Sequence, residues 1–271
     1  VPGTVKYDFS GAVALVTGGA RGQGFSHAQA FANAGARVVV FDVAEPAAPG
    51  IPYSLCDSTA LDTARAKLPS GSLVLATDVR DDQQVREAMA QVEKEFGRLD
   101  ILVNNAGVNT VAPMESATKD QWDTVMSINL WGAYACSKHC LPLMKQTGPG
   151  RIINISSLAA YLGGMNQVHY ASSKAGLLGF TTSLALEVGM FGITVNAICP
   201  TLVISPQTIG LRKAGSAQPK AGAPAAMPYA IAGMSALESK DVTAAVLWLA
   251  SDAARYVTGT ALTLDGGRSI K

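Results

Sequence analysis

AVALVTGGARGQG, residues 12–24, passes from a short apolar run into a turn carrying glycine at 18, 19, 22 and 24. An apolar, β-branched run that stops at glycine predicts a buried strand, and the helical periodicity over about 24–34 predicts a helix opening on the turn. At such a strand–turn–helix junction the spacing G-x-x-x-G-x-G lets backbone approach a bound anion, whose charge meets the free N–H groups and positive end of the helix. Gly18, Arg21, Gly22, Gln23 and Gly24 are therefore candidates to cradle the pyrophosphate of a dinucleotide.

Outward from this unit the same alternation runs to the C-terminus. Strands are predicted at 12–17, 37–41, 72–78, 99–105, 151–157, 193–199 and 261–265, and helices at about 24–34, 81–96, 118–146, 168–190 and 241–251. Several strands are apolar on both faces, as parallel strands covered by helices on both sides must be. Seven strands alternating with helices define an α/β fold: a Rossmann-type, doubly wound parallel sheet in a single domain over 1–271. Two connections break the rhythm: an insert at about 44–71 opening with AEPAAPGIPYS, and a stretch at about 201–236 with Pro206, Pro219, Pro224 and Pro228 among Gly and Ala. Both follow strands on the ligand-binding side of such a sheet, and the second reads as a mobile substrate loop.

The bulk numbers fit this reading. The 271 residues are 48% hydrophobic, and 21 basic against 20 acidic side chains leave a formal charge of +1, with neither sign in a long block. That argues against a nucleic-acid or acidic-membrane partner and for small molecules or copies of the same chain. The N-terminal VPGTVKYDFSG lacks a signal peptide's apolar region, and no run of about 18 or more apolar residues occurs, so a cytoplasmic protein is expected. Cys56, Cys136, Cys140 and Cys199 are scattered, and reduced thiols are expected. Cys136, His139 and Cys140 would share a helix face, but three local ligands are too few for a structural metal site, and no metal is expected.

Asp42 closes the second strand, where a carboxylate can accept from the adenosine ribose hydroxyls and would repel a 2′-phosphate. Val43 follows it, and Arg21 is the one local residue favouring NADP, so NAD is expected. Asp78, ahead of Val79, closes the third strand and can either bond the adenine amine or cap the next helix. Ser157, Tyr170 and Lys174 form the chemical constellation: Tyr and Lys at i and i+4 share a helix face, and Ser157 leaves the end of a neighbouring strand. A free tyrosine has a pKa of about 10, and an adjacent ammonium together with a cationic nicotinamide favours the phenolate a base needs.

TGGARGQG, NNAG at 104–107, Asn129 in SINLWG, Ser157 in NISS and YASSK at 170–174 stand in the order and spacing of the short-chain dehydrogenases/reductases, which the chain resembles over nearly its whole length. The resemblance implies sheet order 3-2-1-4-5-6-7 and dimers or tetramers, a homotetramer foremost, built through the two long helices. It implies that Ser157, rather than Ser156, is the catalytic serine and Tyr170 the acid/base. Lys174 then binds the nicotinamide ribose and lowers the tyrosine pKa, and Asn129 holds a water in the proton relay. It also places Asn104, Asn105, Ala106 and Gly107 along the cofactor, with a structural role for NNAG equally open. Where the family has Pro-Gly after the sixth strand, this chain has Pro200-Thr201. The threonine that contacts the carboxamide maps onto Ser205, with Ile198 and Val203 as backbone contacts.

ARGQGFSHA, the insert containing IPYSL, and Pro-Thr for Pro-Gly resemble an actinobacterial branch that includes carveol dehydrogenases and is associated with the redox peptide mycofactocin. That resemblance implies an insert folded over the adenine half of NAD and an external redox carrier, with exchangeable NAD as the alternative. The substrate pocket is expected from Leu158, Tyr161, Met165, His169, Leu202, Ile209, Met227 and Tyr229, with His169 either touching substrate or serving as a spacer before Tyr170. Few charges occur among them, so an apolar secondary alcohol or ketone, terpenoid or alicyclic, is expected rather than a sugar or carboxylate. The reaction is hydride transfer to or from NAD. Two rivals remain: a sugar-nucleotide epimerase, for which the chain lacks T-G-x-x-G-x-x-G, and an NAD-binding regulatory protein without turnover, against which the intact Ser157, Tyr170 and Lys174 set argues.

Overall fold

The computed structural model describes residues 5–214 and 229–270. Strands β1 (Val13–Thr17), β2 (Arg37–Asp42), β3 (Leu73–Ala76), β4 (Ile101–Asn104), β5 (Arg151–Ile155), β6 (Thr194–Pro200) and β7 (Ala261–Leu264) form one parallel sheet. Its order is β3-β2-β1-β4-β5-β6-β7, as the family resemblance implies. The central strands β1, β4, β5 and β6 are buried at every position, while β3 and β7 at the edges are partly exposed. Residues of opposite parity enter separate cores, with Ala14, Val16, Val38 and Val40 on one face and Val13, Leu15, Val39 and Phe41 on the other.

Helices α1 (Gly22–Asn33), α2 (Ser58–Lys67) and α9 (Ser239–Ala250) pack on the first face. On the second lie α3 (Asp82–Phe96), α4 (Lys119–Met126), α5 (Gly132–Thr147) and α7 (Val168–Val188). The helix predicted at 118–146 is α4 and α5 joined through a π-helical turn at Ser127–Trp131, which contains Asn129. Such turns insert one residue into a helix and recur at functional sites. Asp81, not Asp78, caps α3, accepting from the Gln83 and Gln84 amides at 2.9 and 3.1 Å.

Two short helices depart from the expected pattern. α6 (Ala159–Leu162) follows β5, and α8 (Pro206–Lys213) occupies the start of the stretch expected to be a structureless loop. The start signals of α8 are local: Ser205 and Thr208 form a capping box, and Pro206 sits at the first helical position, where it loses no hydrogen bond. The remaining prolines of that stretch and Met227 lie outside the described residues. Among the described residues, no helix is long and apolar enough to cross a membrane.

Candidate active site

The C-terminal ends of β1, β2, β4, β5 and β6 open into one cleft of about 550 Å³. Its floor begins at the glycine turn. Gly18 has φ +61°, and a Cβ there would come within 2.9 Å of the Ala106 Cα; a Cβ on Gly24 would fall on the Gly18 carbonyl. Only glycine allows this backbone and this approach. Asn105 braces the turn, donating from Nδ2 to the Thr17 and Gly18 carbonyls at 2.9 and 3.2 Å, and its Oδ1 accepts from Gln23 at 3.3 Å. The Ala106 amide donates to Thr17 Oγ1 at 3.0 Å. Asn104 turns away: its Nδ2 donates to Ser137 Oγ at 3.1 Å and Asn154 Oδ1 at 2.8 Å, so it braces β4 and does not line the cleft.

Asp42 ends β2 at the cleft wall, where its carboxylate accepts from the Ala20 amide at 3.0 Å and the Val43 amide at 2.9 Å. Burial pushes its pKa up, against these hydrogen bonds and the nearby Arg21 charge. A carboxylate offers about four acceptor directions, so two amide donors leave capacity for ligand hydroxyls. Val43, Asp78, Val79 and Gly107 line the same cleft. Asp78 is gripped by Arg80 through Nε at 2.9 Å and Nη2 at 2.5 Å, and the two form an ion pair on its rim. Asn109, a further lining residue, carries a buried Oδ1 with no hydrogen-bond partner among the described residues. A glycine cradle, a carboxylate with free lone pairs and an orphaned acceptor fit a dinucleotide.

The chemical residues gather at the other half. Ser157 and Tyr170 line the cleft together, the Ser157 hydroxyl accepting from the Ala159 amide at 3.1 Å, and Ser156, one residue earlier, is removed from the cleft chemistry by donating to the Lys174 carbonyl at 2.8 Å. Lys174 is buried and donates from Nζ to the Ile155 carbonyl at 2.8 Å, standing 5.8 Å from the centre of the Tyr170 ring. Burial pulls its pKa down to about 8. Burial also pushes Tyr170 above the ordinary tyrosine value, with the Ser157 hydroxyl working the other way. Asn129 lies behind them and is fully engaged: Oδ1 accepts from the Val108 amide at 2.8 Å, while Nδ2 donates to the Val108 carbonyl at 2.9 Å and Ser173 Oγ at 3.0 Å.

Of the expected substrate residues, Leu158 and Leu202 line the cleft, as do Pro200, Val203 and Ser205. Ser205 has its hydroxyl in the α8 cap, accepting from Thr208 N at 3.3 Å. Ile198 is wholly buried, its carbonyl accepting from the Ser156 amide at 2.8 Å. Met165 and Tyr161 are exposed and, like Ile209, lie outside the lining. His169 is also outside it, buried with Nε2 at 3.0 Å from the Thr110 carbonyl, which makes it the spacer rather than a substrate contact. Cys136 and Cys140 are buried in α5, and His139 faces Asp82 at 2.9 Å instead.

Arg21 joins residues not singled out in the sequence, Tyr53, Ser54, Asn109 and Gln207, in a roof over the cleft. Arg21 donates to the Ser54 carbonyl at 2.6 Å, tying the insert to the glycine turn. Tyr53 accepts from the Asn109 amide at 3.0 Å and from Gln207 of α8 at 3.2 Å. A Cβ on Gly210 would press to 2.7 Å from Tyr53 Cβ, so a glycine is needed where α8 crosses the ring. The insert and α8 thus clasp each other across the cleft. The tyrosine in IPYSL and the capping box at 205–208 were the available signals.

A seven-stranded doubly wound sheet with a glycine-braced dinucleotide cleft and a Ser–Tyr–Lys cluster is the architecture of a nicotinamide-dependent oxidoreductase. The chain belongs to the short-chain dehydrogenases/reductases, its residues 18–269 matching the family described as enoyl-(acyl carrier protein) reductase. It is 35% identical over 262 residues to trans-4-hydroxycyclohexanecarboxylate dehydrogenase of Sinomonas cyclohexanicum, covering 95% of this chain and 92% of the relative. Among solved structures it is similar to carveol dehydrogenase from Mycobacterium avium in complex with NAD, with TM-score 0.89 and 30% identity over 98% of this chain and 100% of the other. A short-chain dehydrogenase from Mycobacterium paratuberculosis bound to NAD matches with TM-score 0.89 and 29% identity over 96% of this chain and 98% of the other.

Proposed function

We propose that this protein is an NAD-dependent alcohol dehydrogenase/ketone reductase acting on an alicyclic or terpenoid secondary alcohol, with Tyr170 as acid/base. The observation that carries the reading is the gathering of Ser157, Tyr170 and Lys174 on the wall of a cleft that also holds the Asp42 carboxylate. The NAD-bound structures and the hydroxycyclohexane dehydrogenase to which the chain is similar support the cofactor and the ring-bearing substrate.

Gly18, Arg21, Gly22, Gln23 and Gly24 would hold the pyrophosphate and Asp42 the adenosine ribose. Val43, Asp78 and Val79 would border the adenine, and Asn105, Ala106, Gly107, Pro200, Val203 and Ser205 the path toward the nicotinamide. When bound, the oxidised cofactor supplies a hydride acceptor and a positive charge. Ser157 and Tyr170 bind the substrate oxygen, and Tyr170 takes the hydroxyl proton in oxidation and returns it in reduction. Lys174, fixed by the Ile155 carbonyl, presents its ammonium near the phenol, and Asn129, tied to Val108 behind it, would hold a water in the proton relay. Leu158 and Leu202 exclude water from the reacting carbon.

The Tyr53–Gln207 clasp supports slow cofactor release, and with it reoxidation in place by an external redox carrier. Trp131 of the π-helical turn, Tyr134 of α5 and Leu186 of α7 are exposed along the two long helical segments, which supports a homotetramer built through them. Four free, buried cysteines support a cytoplasmic location. Absorbance of reduced cofactor at cyclohexanol oxidation tests the main reading. Turnover that Tyr170→Phe abolishes is expected, whereas NAD binding with no turnover of any ring alcohol or ketone would establish the regulatory alternative.

A further inference from the structure

Among the described residues, six charged side chains line the cleft: Arg21, Asp42, Asp78, Arg80, Lys174 and Arg268. Five of them are accounted for by the nucleotide half or the proton chemistry. Arg80 is neutralised by Asp78, Arg21 stands near Asp42 and holds the Ser54 carbonyl, and Lys174 is fixed to Ile155. Arg268, in the turn after β7, has no carboxylate partner among the described residues.

The molecule holds this guanidinium in place without neutralising it. Asp265, the nearest acid in sequence, accepts from the Gly267 and Ser269 amides, both at 2.9 Å, and so shapes the turn that presents Arg268. Arg268 Nη1 donates to Thr201 Oγ1 at 3.2 Å and Tyr229 Oη at 3.4 Å, and its guanidinium lies 5.4 Å from the Tyr229 ring centre. Its Nε and Nη2 donors have no hydrogen-bond partner among the described residues, which leaves one edge of the planar fork open, the geometry that takes a carboxylate through two parallel bonds. Thr201 occupies the place after Pro200 where the family has glycine, so the departure from the family pattern supplies one of the two hydroxyls that position the arginine.

The sheet order fixes where this cation stands. Asp42 follows β2 and Arg268 follows β7, five strand spacings or roughly 24 Å apart, so Arg268 is at the end away from the adenosine. Ser157 follows β5, two spacings or roughly 10 Å from Arg268. A six-membered ring with a carbinol on one carbon and a carboxylate on the opposite carbon, hydrogen-bonded at both ends, bridges such a gap. Leu158 and Leu202 supply apolar wall between them.

We propose that Arg268 is the anion-binding end of the substrate pocket, so that the substrate is an alicyclic secondary alcohol bearing a carboxylate across the ring from the carbinol. The alcohol rests on the proposed dehydrogenase activity, and the anion site rests on Arg268. Such a substrate keeps the apolar ring expected from Leu158 and Leu202 and adds an anion that Arg268, in the turn after β7, would take.

The test titrates full-length protein in excess NAD with cyclohexanecarboxylate and with its neutral counterpart cyclohexanecarboxamide, by calorimetry, in wild type, Arg268→Leu and Arg268→Lys. Wild type is expected to bind the carboxylate at least about 10-fold more tightly than the amide, with Arg268→Leu erasing the preference. Arg268→Lys, which keeps charge and stem, is expected to lose about 3–10-fold and decides the matter if the leucine variant does not fold. No preference in wild type, or one that survives both substitutions, overturns the anion site. The preference together with no reduction of NAD by cis- or trans-4-hydroxycyclohexanecarboxylate would keep the anion site and sink the dehydrogenase. Turnover of neutral cyclohexanols with no carboxylate preference would do the reverse.

Discussion

As the proposed acid/base, Tyr170 would change protonation state in every turnover, and its surroundings oppose the charged form: burial raises its pKa, and the Ser157 hydroxyl works the other way. Only the phenolate accepts a proton, so kcat/KM for alcohol oxidation is expected to rise with pH through the alkaline range. Only the phenol donates one, so ketone reduction is expected to fall over the same range. Removing the hydroxyl by Ser157→Ala withdraws a group that favours the phenolate, which should move the rising limb to higher pH and cut kcat by about 100-fold or more. A limb that stays in place in the pH–rate profile contradicts this assignment. His27 makes a second residue-level prediction. It is buried in α1 with Nδ1 at 2.7 Å from Thr243 Oγ1, and burial pulls its pKa down to about 3. Between about pH 3 and 6.5 the unfolded chain binds a proton there and the folded one does not, so stability falls on acidification, by up to about 1.4 kcal/mol per pH unit. His27→Gln should flatten that slope in urea melts at pH 4–7, and an unchanged slope would show that His27 is not its source. That Ser157, Tyr170 and Lys174 share one cleft was legible, because a strand end and an i, i+4 helix face bring those positions together. The placements of His169 and Met165 were not, since adjacency to Tyr170 says nothing about which way a side chain turns.

At the scale of elements, the strands were readable because parallel strands buried on both faces have an apolar signature that tertiary context cannot mask. α8 was not, because Pro206 and Gly210 read as loop residues, whereas Pro206 starts the helix and Gly210 admits the Tyr53 ring. Four polar contacts close the roof: Arg21 to Ser54, Tyr53 to Asn109, Gln207 to Tyr53 and Gln207 to the Gly107 carbonyl. Tyr53→Phe removes two of them, and Gly210→Ala forces α8 away from the ring. Each is expected to raise the NAD dissociation rate by about an order of magnitude, read by stopped-flow displacement of bound cofactor, with association little changed. Equal off-rates in wild type and both variants would mean that the clasp does not retain the cofactor.

For the whole molecule, the sheet order lays out the cleft as a line, with Asp42 at the β2 end, the Ser157–Tyr170 pair at β5 and Arg268 beyond β7. The sequence carried the first two points, because each lies at the end of a strand it made visible. The third needs the long-range contact of Arg268 with Thr201 and Tyr229, which no local pattern encodes. The assembly reading makes a separate prediction: wild type should scatter light as a tetramer, and Tyr134→Glu, a charge on the exposed face of α5, should yield a smaller species. A monomeric wild type would contradict it. The central claim is most directly tested by following absorbance at 340 nm while NAD and a 4-substituted cyclohexanol are given to wild type and to Tyr170→Phe, with an artificial electron acceptor in parallel. The account predicts alcohol-dependent formation of reduced cofactor, or acceptor-dependent turnover if NAD is retained, falling by about 100-fold or more in Tyr170→Phe. Cofactor that binds and is never reduced, or reduction that persists undiminished in Tyr170→Phe, would contradict it.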